Sequence, residues 1–218
     1  MKKISFAILI LFTAIIGYAQ DNQSNTNEPI KTLFGRNKDA KLGWFVEFDN
    51  GYTQFDKRDV NMSGFNFGLI VNHNLSLGFS GSGWTNRNDM YYNNVADSTG
   101  AYLEGGMGRF MLEYTLNPSA PVHLTFPMMI GVGGASYVTD KEYYDWKDKD
   151  WNTHHKTIDT DAFFSFEPGV RAEVNVFKFM RLNAGVSYRY VSGLELVHTS
   201  DNLMNNFSAT VGLKFGKF

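Results

Sequence analysis

Residues 206–218 read NFSATVGLKFGKF. Phe207, Ala209, Val211, Leu213 and Phe215 take every second place, and Ser208, Thr210, Gly212, Lys214 and Gly216 fill the places between. Successive side chains of a strand point to opposite faces, so this stretch is a strand with one apolar and one polar face. The same period recurs upstream. In Trp44–Thr53, Trp44, Val46, Phe48 and Tyr52 oppose Phe45, Glu47, Asp49, Gly51 and Thr53. Ser63–Asn72 and Leu75–Trp84 set Phe65, Phe67, Leu69, Leu77 and Phe79 against Gly, Asn and Ser.

Four further runs complete the set: Gly100–Leu116, Val122–Val138, Ala162–Asn175 and Arg181–Val191. In the first of these Glu104 falls out of phase, and the Gly105-Gly106 pair beside it reads as a bulge. In the second, Pro127 removes a ladder donor and is the weakest point of the pattern.

Eight strands follow, and their connections alternate in length. His73-Asn74, Asn117–Pro121 and Val176–Met180 are short, whereas Gln54–Met62, Thr85–Thr99, Thr139–Asp161 and Ser192–Asn205 are long. Short turns on one rim and long loops on the other are the outer-membrane barrel pattern. The expected fold class is all-β, an eight-stranded antiparallel up-and-down transmembrane β-barrel over residues 43–218.

The polar face decides which side looks inward. It carries Glu47, Asp49, Arg109, Glu113, Glu167, Arg171, Glu173, Arg181, Arg189 and Lys214, five acids and five bases. Balanced charge among many small residues suits the narrow interior of an eight-stranded barrel, where side chains fill the space and ions pair. The Phe-, Leu- and Val-rich face then meets lipid. Tyr52, Trp84, Tyr102, Tyr114, Tyr137, Tyr188 and Tyr190 lie near strand ends, where interfacial rings belong.

The first 19 residues combine Lys2 and Lys3, an apolar stretch Ile4–Ile16, and small residues Gly17 and Ala19. They read as a signal peptide for Sec export, cut after Ala19, and the apolar stretch is short of the ~20 residues a spanning helix needs. Residues 20–42 are polar and Asn-rich, a flexible periplasmic lead. The chain has no cysteine, and its net charge of −2 disfavours nucleic acid as a partner. Aromatic content of 16% with 21 glycines fits a β-rich chain with many turns and rings.

With the ending at Phe218, the strand count and the leader, the chain resembles small Bacteroidetes-type outer-membrane β-barrels, similar in plan to OmpA/OmpX-type barrels. His123–Tyr137 (HLTFPMMIGVGGASY) and Tyr188–Gly193 (YRYVSG) add to that resemblance. It implies a Gram-negative outer membrane, contact with membrane lipid and lipopolysaccharide, and recognition of the C-terminal strand ending in Phe218 by the barrel-assembly machinery. It carries over no catalytic residues and no cofactor.

Three local patterns carry chemistry. Tyr143, Tyr144, Trp146 and Trp151 lie among acids and lysines in the stretch 139–161, a contact patch for an extracellular protein or glycan. His154 and His155, near Asp159 and Asp161, are weak metal-ligand candidates without ligand spacing, so no metal is expected. His198-Thr199-Ser200 with Glu195 has the His-x-Ser spacing of lipid A deacylases, in which a His base would activate a Ser nucleophile oriented by a carboxylate. The leading expectation is a structural or interaction barrel with a charge-filled lumen. The alternatives are an outer-membrane lipid-modifying enzyme, a narrow channel, and a periplasmic lipocalin-like barrel with its faces exchanged.

Overall fold

The computed structural model describes residues 41–85, 95, 101–145 and 150–218, with the backbone path alone described for 141–145 and 150–154. The leader and the lead segment up to residue 40 lie outside the described residues. Eight strands run β1 Leu42–Phe55, β2 Arg58–Val71, β3 Leu75–Thr85, β4 Tyr102–Leu116, β5 Val122–Asp145, β6 Asp150–Phe177, β7 Met180–Ser192 and β8 Asn206–Lys217. Each pairs antiparallel with the next, and β1 pairs with β8, which closes the barrel. Closure leaves no open edge around the ring.

Trp44 faces Lys217 at one rim, so both ends of the barrel meet there. That rim also carries the turns Asn72–Asn74, Asn117–Pro121 and Lys178-Phe179. The opposite rim, here the loop rim, departs from expectation at β1–β2. Phe55 pairs with Arg58, and Asp56 and Lys57 form a two-residue turn with φ of 47° and 63° in place of a long loop. Two positive φ values mark the hairpin turn whose twist matches its strands.

Residues 139–145 and 150–161 are also strand rather than loop. β5 and β6 stay paired from Thr139↔Lys156 to Asp145↔Asp150. β4 leaves β5 at Val138 and β7 leaves β6 at Phe164, so the β5–β6 hairpin extends past its neighbours.

No bulge occurs at Gly105-Gly106, where the register runs on unbroken. The irregularities lie beside Tyr137/Val138, where Ile158 is the additional residue, and beside Asn175/Phe177, where Val176 is. Pro127 keeps its place opposite Glu113. The β5–β6 ladder lapses at Phe126–Pro127 on its other side, and Pro168 stands at the end of the same gap. The missing donors are therefore grouped where no ladder bond is made.

The faces are as the alternation implies over the half of the barrel nearer the chain ends. Phe48, Phe65, Phe67, Phe79 and Phe110 point outward, 41–57% exposed, and form a row of ring contacts across β1–β4 at centroid distances of 5.2 to 6.0 Å. The girdle expectation divides. Tyr52, Tyr114, Tyr188 and Tyr190 are exposed, whereas Trp84, Tyr102 and Tyr137 are buried. Trp84 and Tyr137 belong to an apolar cluster under the loop rim with Phe55, Leu103, Met107 and Phe163. Glycine leaves them room. A Cβ at Gly105 would lie 2.5 Å from the Trp84 indole, and one at Gly133 would lie 2.4 Å from the Phe163 ring.

Phe218 lies on the inner side, opposite to the outward series Phe207–Phe215. Its ring lies 3.7 Å beneath the Arg181 guanidinium and packs on the smaller apolar cluster of Phe45, Ile70, Met111 and Met129. Three places separate Phe218 from Phe215, and an odd step changes face.

Candidate functional site

The ten charged side chains of the alternating pattern all lie on the lumen face, and the structure joins nine of them into two ion-paired groups. In the first, Lys214 Nζ lies 2.7 Å from Glu113 Oε1, 2.9 Å from Glu173 Oε2 and 3.6 Å from Glu47 Oε2. Arg171 donates to Glu47 at 2.8 Å and Arg181 to Glu173 at 2.8 Å. In the second group, Glu167 bridges Arg109 at 2.6 Å and Arg189 at 3.1 Å, and Ser187 donates to its other oxygen at 2.6 Å. Asp49 stands apart from these contacts, its carboxylate taking a hydrogen bond from Asn66 at 2.6 Å.

His123 was not legible as a member. It is buried, with Nε2 3.0 Å from Glu173 Oε1 and Nδ1 3.2 Å from the Ala120 carbonyl. It is the second residue of β5, in the polar phase, which was the one signal available.

Small residues make the network fit. A Cβ at Gly185 would fall 2.5 Å from the Arg171 Cγ, and one at Gly131 would fall 2.9 Å from the Arg109 Cγ. Each of these two guanidinium arms lies over a glycine of the next strand. The remaining space between Arg109, Arg171, Arg189, Glu167 and Asp49 is a cavity of about 30 Å³, room for about one water. Burying ions is costly unless they are paired, and removing one partner leaves an uncompensated charge. The network therefore ties the register of the strands to one pairing, because a one-residue slip would turn these charges outward.

A second site lies at the loop rim. The connection Gly193–Asn205 folds back over the barrel as a strap. Leu194, Leu196, Leu203 and Met204 sink into the apolar cluster, each no more than 7% exposed. The carboxylates of Asp159 and Asp161 hold it, accepting the backbone N–H of Val197 at 2.7 Å and of Glu195 at 2.5 Å. These acids thus fasten the strap. His155 pairs instead with Asp140 at 2.5 Å, and among the described residues no group of three metal-capable side chains converges. The side chains of Tyr143, Tyr144, Trp151 and His154, and all of Trp146, lie outside the described residues.

The His-x-Ser motif lies on the strap, but its members do not form a nucleophile–base pair. Ser200 Oγ donates its proton to Asn202 Oδ1 at 2.5 Å, so that proton is not on His198. Glu195 is exposed and touches the strap's anchor through its backbone. Tyr137, beneath the strap, shares a hydrogen bond of 2.7 Å with Thr199. Burial pushes the Tyr137 hydroxyl above the ordinary tyrosine pKa, with the Thr199 bond opposing the shift.

No protein-family model matches the chain, and no curated protein does. Among solved structures it is similar to Neisserial surface protein A, at 15% identity and a TM-score of 0.51 over 82% of this chain and 99% of that one. It is also similar to Ail, the attachment invasion locus protein of Yersinia pestis, at 8% identity and a TM-score of 0.44 over 80% of this chain and 97% of that one. The first likeness shows the fold: this chain has the eight-stranded up-and-down plan of the small outer-membrane barrels.

Proposed function

We propose that the chain is an outer-membrane β-barrel of a Gram-negative cell, exported by a signal peptide cleaved after Ala19, with its loop rim at the cell surface and a structural or interaction role. The observation that carries this reading is the pairing of an exposed apolar belt with a lumen crossed by buried ion pairs. Phe67, Leu69, Phe79, Ile130, Val186 and Val211 are each 45–59% exposed around the ring, a surface that suits lipid and not water. The stretches His123–Tyr137 and Tyr188–Gly193 support a Bacteroidetes-type relative. Lipid and lipopolysaccharide are then its surroundings, and an extracellular protein or glycan its partner at the rim.

The cavity of about 30 Å³ and the two apolar clusters favour a plugged barrel over a channel. The engagement of Ser200 by Asn202 favours a binding strap over an acyl-transfer site. The test is a comparison of boiled and unboiled outer membranes on a detergent gel, followed by planar-bilayer recording of the purified protein. A heat-dependent mobility shift without discrete conductance steps is the expected result. A soluble periplasmic protein with no shift would overturn the reading, and stepwise conductance would replace the plugged barrel by a channel.

A further inference from the structure

The rim at the chain ends carries an exposed cationic patch on one side of the ring. β7 and β8 run on past their last ladder pair, Met180↔Phe215, and the Gly216 N–H donates to the Phe179 carbonyl at 3.0 Å. Lys178 and Lys217 are the next residues on the two segments, and both are exposed. Lys217 in turn stands opposite Trp44 of β1, and Lys41, also exposed, immediately precedes that strand. The buried cations nearby, Arg181 and Lys214, are already paired with Glu173, Glu113 and Glu47. Among the described residues of this rim no exposed Asp or Glu faces the three lysines. The one carboxylate beside them is that of Phe218, whose ring turns inward beneath Arg181. Like charges on facing strands repel, so an anion between them is favoured. The other turns of the rim, Asn72–Asn74 and Asn117–Pro121, carry neither Lys nor Arg.

Apolar side chains frame the patch and decide what kind of partner fits. Phe177 and Phe179, on either side of Lys178 in the chain, stack at 5.7 Å. Both are more than half exposed, as are Trp44 and Leu42. Farther from the rim the wall continues outward as Val174, Leu182 and Leu213. A lysine at such an edge lays its methylene stem along apolar surface and carries its ammonium to the headgroup level. A free phosphate or a soluble acidic protein would answer the charge and leave the apolar wall in water. A phospholipid answers both, with acyl chains on the wall and phosphate at the lysines. At the loop rim Lys57, Arg58 and Lys156 are outnumbered by carboxylates such as Asp59, Asp159, Asp161 and Glu195. The two edges of the apolar belt therefore differ in the sign of their described charge, and only the edge at the chain ends suits an anionic headgroup.

We infer that Lys41, Lys178 and Lys217 form a docking surface for phospholipid of net negative charge in the leaflet at the chain-end rim. The inference rests on the membrane-barrel reading, which names that leaflet as the periplasmic one. The purified full chain, folded in nonionic detergent, is mixed with equal amounts of phosphatidylglycerol and phosphatidylcholine, and the retained lipids are counted by native mass spectrometry. Both lipids bring a phosphate and acyl chains, and only the first has net charge. Phosphatidylglycerol should be retained in preference by at least about tenfold, since each lysine beside an anionic lipid is worth about fivefold. Lys178→Gln combined with Lys217→Gln should erase the preference, and Lys156→Gln, at the loop rim, should leave it unchanged. Exposed glutamines leave the barrel intact, so the heat-dependent gel shift of each variant should match the parent. A barrel that shifts on heating but retains the two lipids equally overturns the site and leaves the barrel standing. A chain without the shift overturns both. Preference kept in the double variant, or lost equally in Lys156→Gln, overturns the assignment to these lysines.

Discussion

The two halves of the barrel invert each other. Toward the chain ends, the inside is ionic and the outside apolar: Glu47 and Lys214 face each other within, and Trp44, Phe48 and Leu213 lie without. Toward the loop rim, Phe55, Val60, Met62, Trp84 and Phe163 fill the inside. The outside there turns polar, with Asn50 bonded to Asn61 at 2.8 Å, Tyr52 to Asp59 at 2.5 Å and Ser136 to Thr160 at 3.0 Å. One strand carries both meanings. The inward series of β1 runs Phe45, Glu47, Asp49, Gly51, Thr53, Phe55 without a change of phase. What changes is the medium outside. In lipid the apolar residues can face out and the lumen can hold charge. In water the same wall must bury its apolar side inward, as any soluble sheet does.

The largest effect expected of that contrast is at Lys214. Lys214→Met removes the cation shared by Glu47, Glu113 and Glu173 and leaves buried carboxylates short of a partner, a cost of about 3–5 kcal/mol. The urea concentration at which the purified barrel loses its heat-dependent gel shift should fall sharply. A neutral result would mean that the ionic half is not held by its ions. Trp84→Ala is the matching change in the apolar half. It removes a ring that contacts Phe55 at 5.4 Å and Phe163 at 6.4 Å, at a cost of about 3–5 kcal/mol if the site collapses little. Here the strap should become open to protease while the lower barrel keeps its gel shift. Simultaneous loss of both would show that the halves unfold as one unit.

The inversion also explains what could be read from the sequence. Strand count, ring order and the ten lumen charges follow from alternation wherever one face is strongly apolar. Residues 58–62, 139–145 and 150–161 were missed as strand because charge and polar groups dominate them, and alternation fades when neither face meets lipid. Asp56-Lys57 gave little turn signal: Asp suits the first place of such a turn, but Lys57 stands where Gly is favoured. Trp84 and Tyr137 were placed at an outer girdle because a ring near a strand end fits either side of the wall. Their inward placement depends on Gly105 and Gly133 on neighbouring strands, a tertiary fit that a single strand's pattern does not contain.

A smaller pair of changes locates the boundary between the halves. Phe67 is outward and flanked by Phe65 and Phe79 in the ring row. Phe67→Arg should cost about 2–4 kcal/mol, as for a charge set at the middle of a lipid belt. Asn61 is outward on the same strand, beyond the point where polar groups take over, and Asn61→Arg should cost at most about 1 kcal/mol. Urea midpoints of the two variants refolded into phospholipid vesicles give the comparison. Equal costs would erase the boundary.

The smallest effect is at Tyr137, and it separates the rim from the barrel by pH. Its ring is 1% exposed under the strap, and its hydroxyl meets Thr199, whose own hydroxyl also lies 3.0 Å from the Val197 carbonyl. Either hydroxyl can donate in that pair, so the Thr199 bond can survive ionisation, but the anion would still sit in an apolar cluster, and that burial is the larger effect. Because its folded pKa is raised above the unfolded value, the stabilisation is fully present below the ordinary tyrosine pKa of about 10 and is lost as pH rises through the folded value. The strap should thus loosen toward protease in strong alkali while the gel shift of the barrel persists. Tyr137→Phe should cost about 0.5–1.5 kcal/mol at neutral pH, the net worth of one hydrogen bond, and should flatten the alkaline response of the strap. If the Phe variant loosens along the same alkaline curve as the parent, another group holds the rim, and Tyr137 packs there for its ring alone.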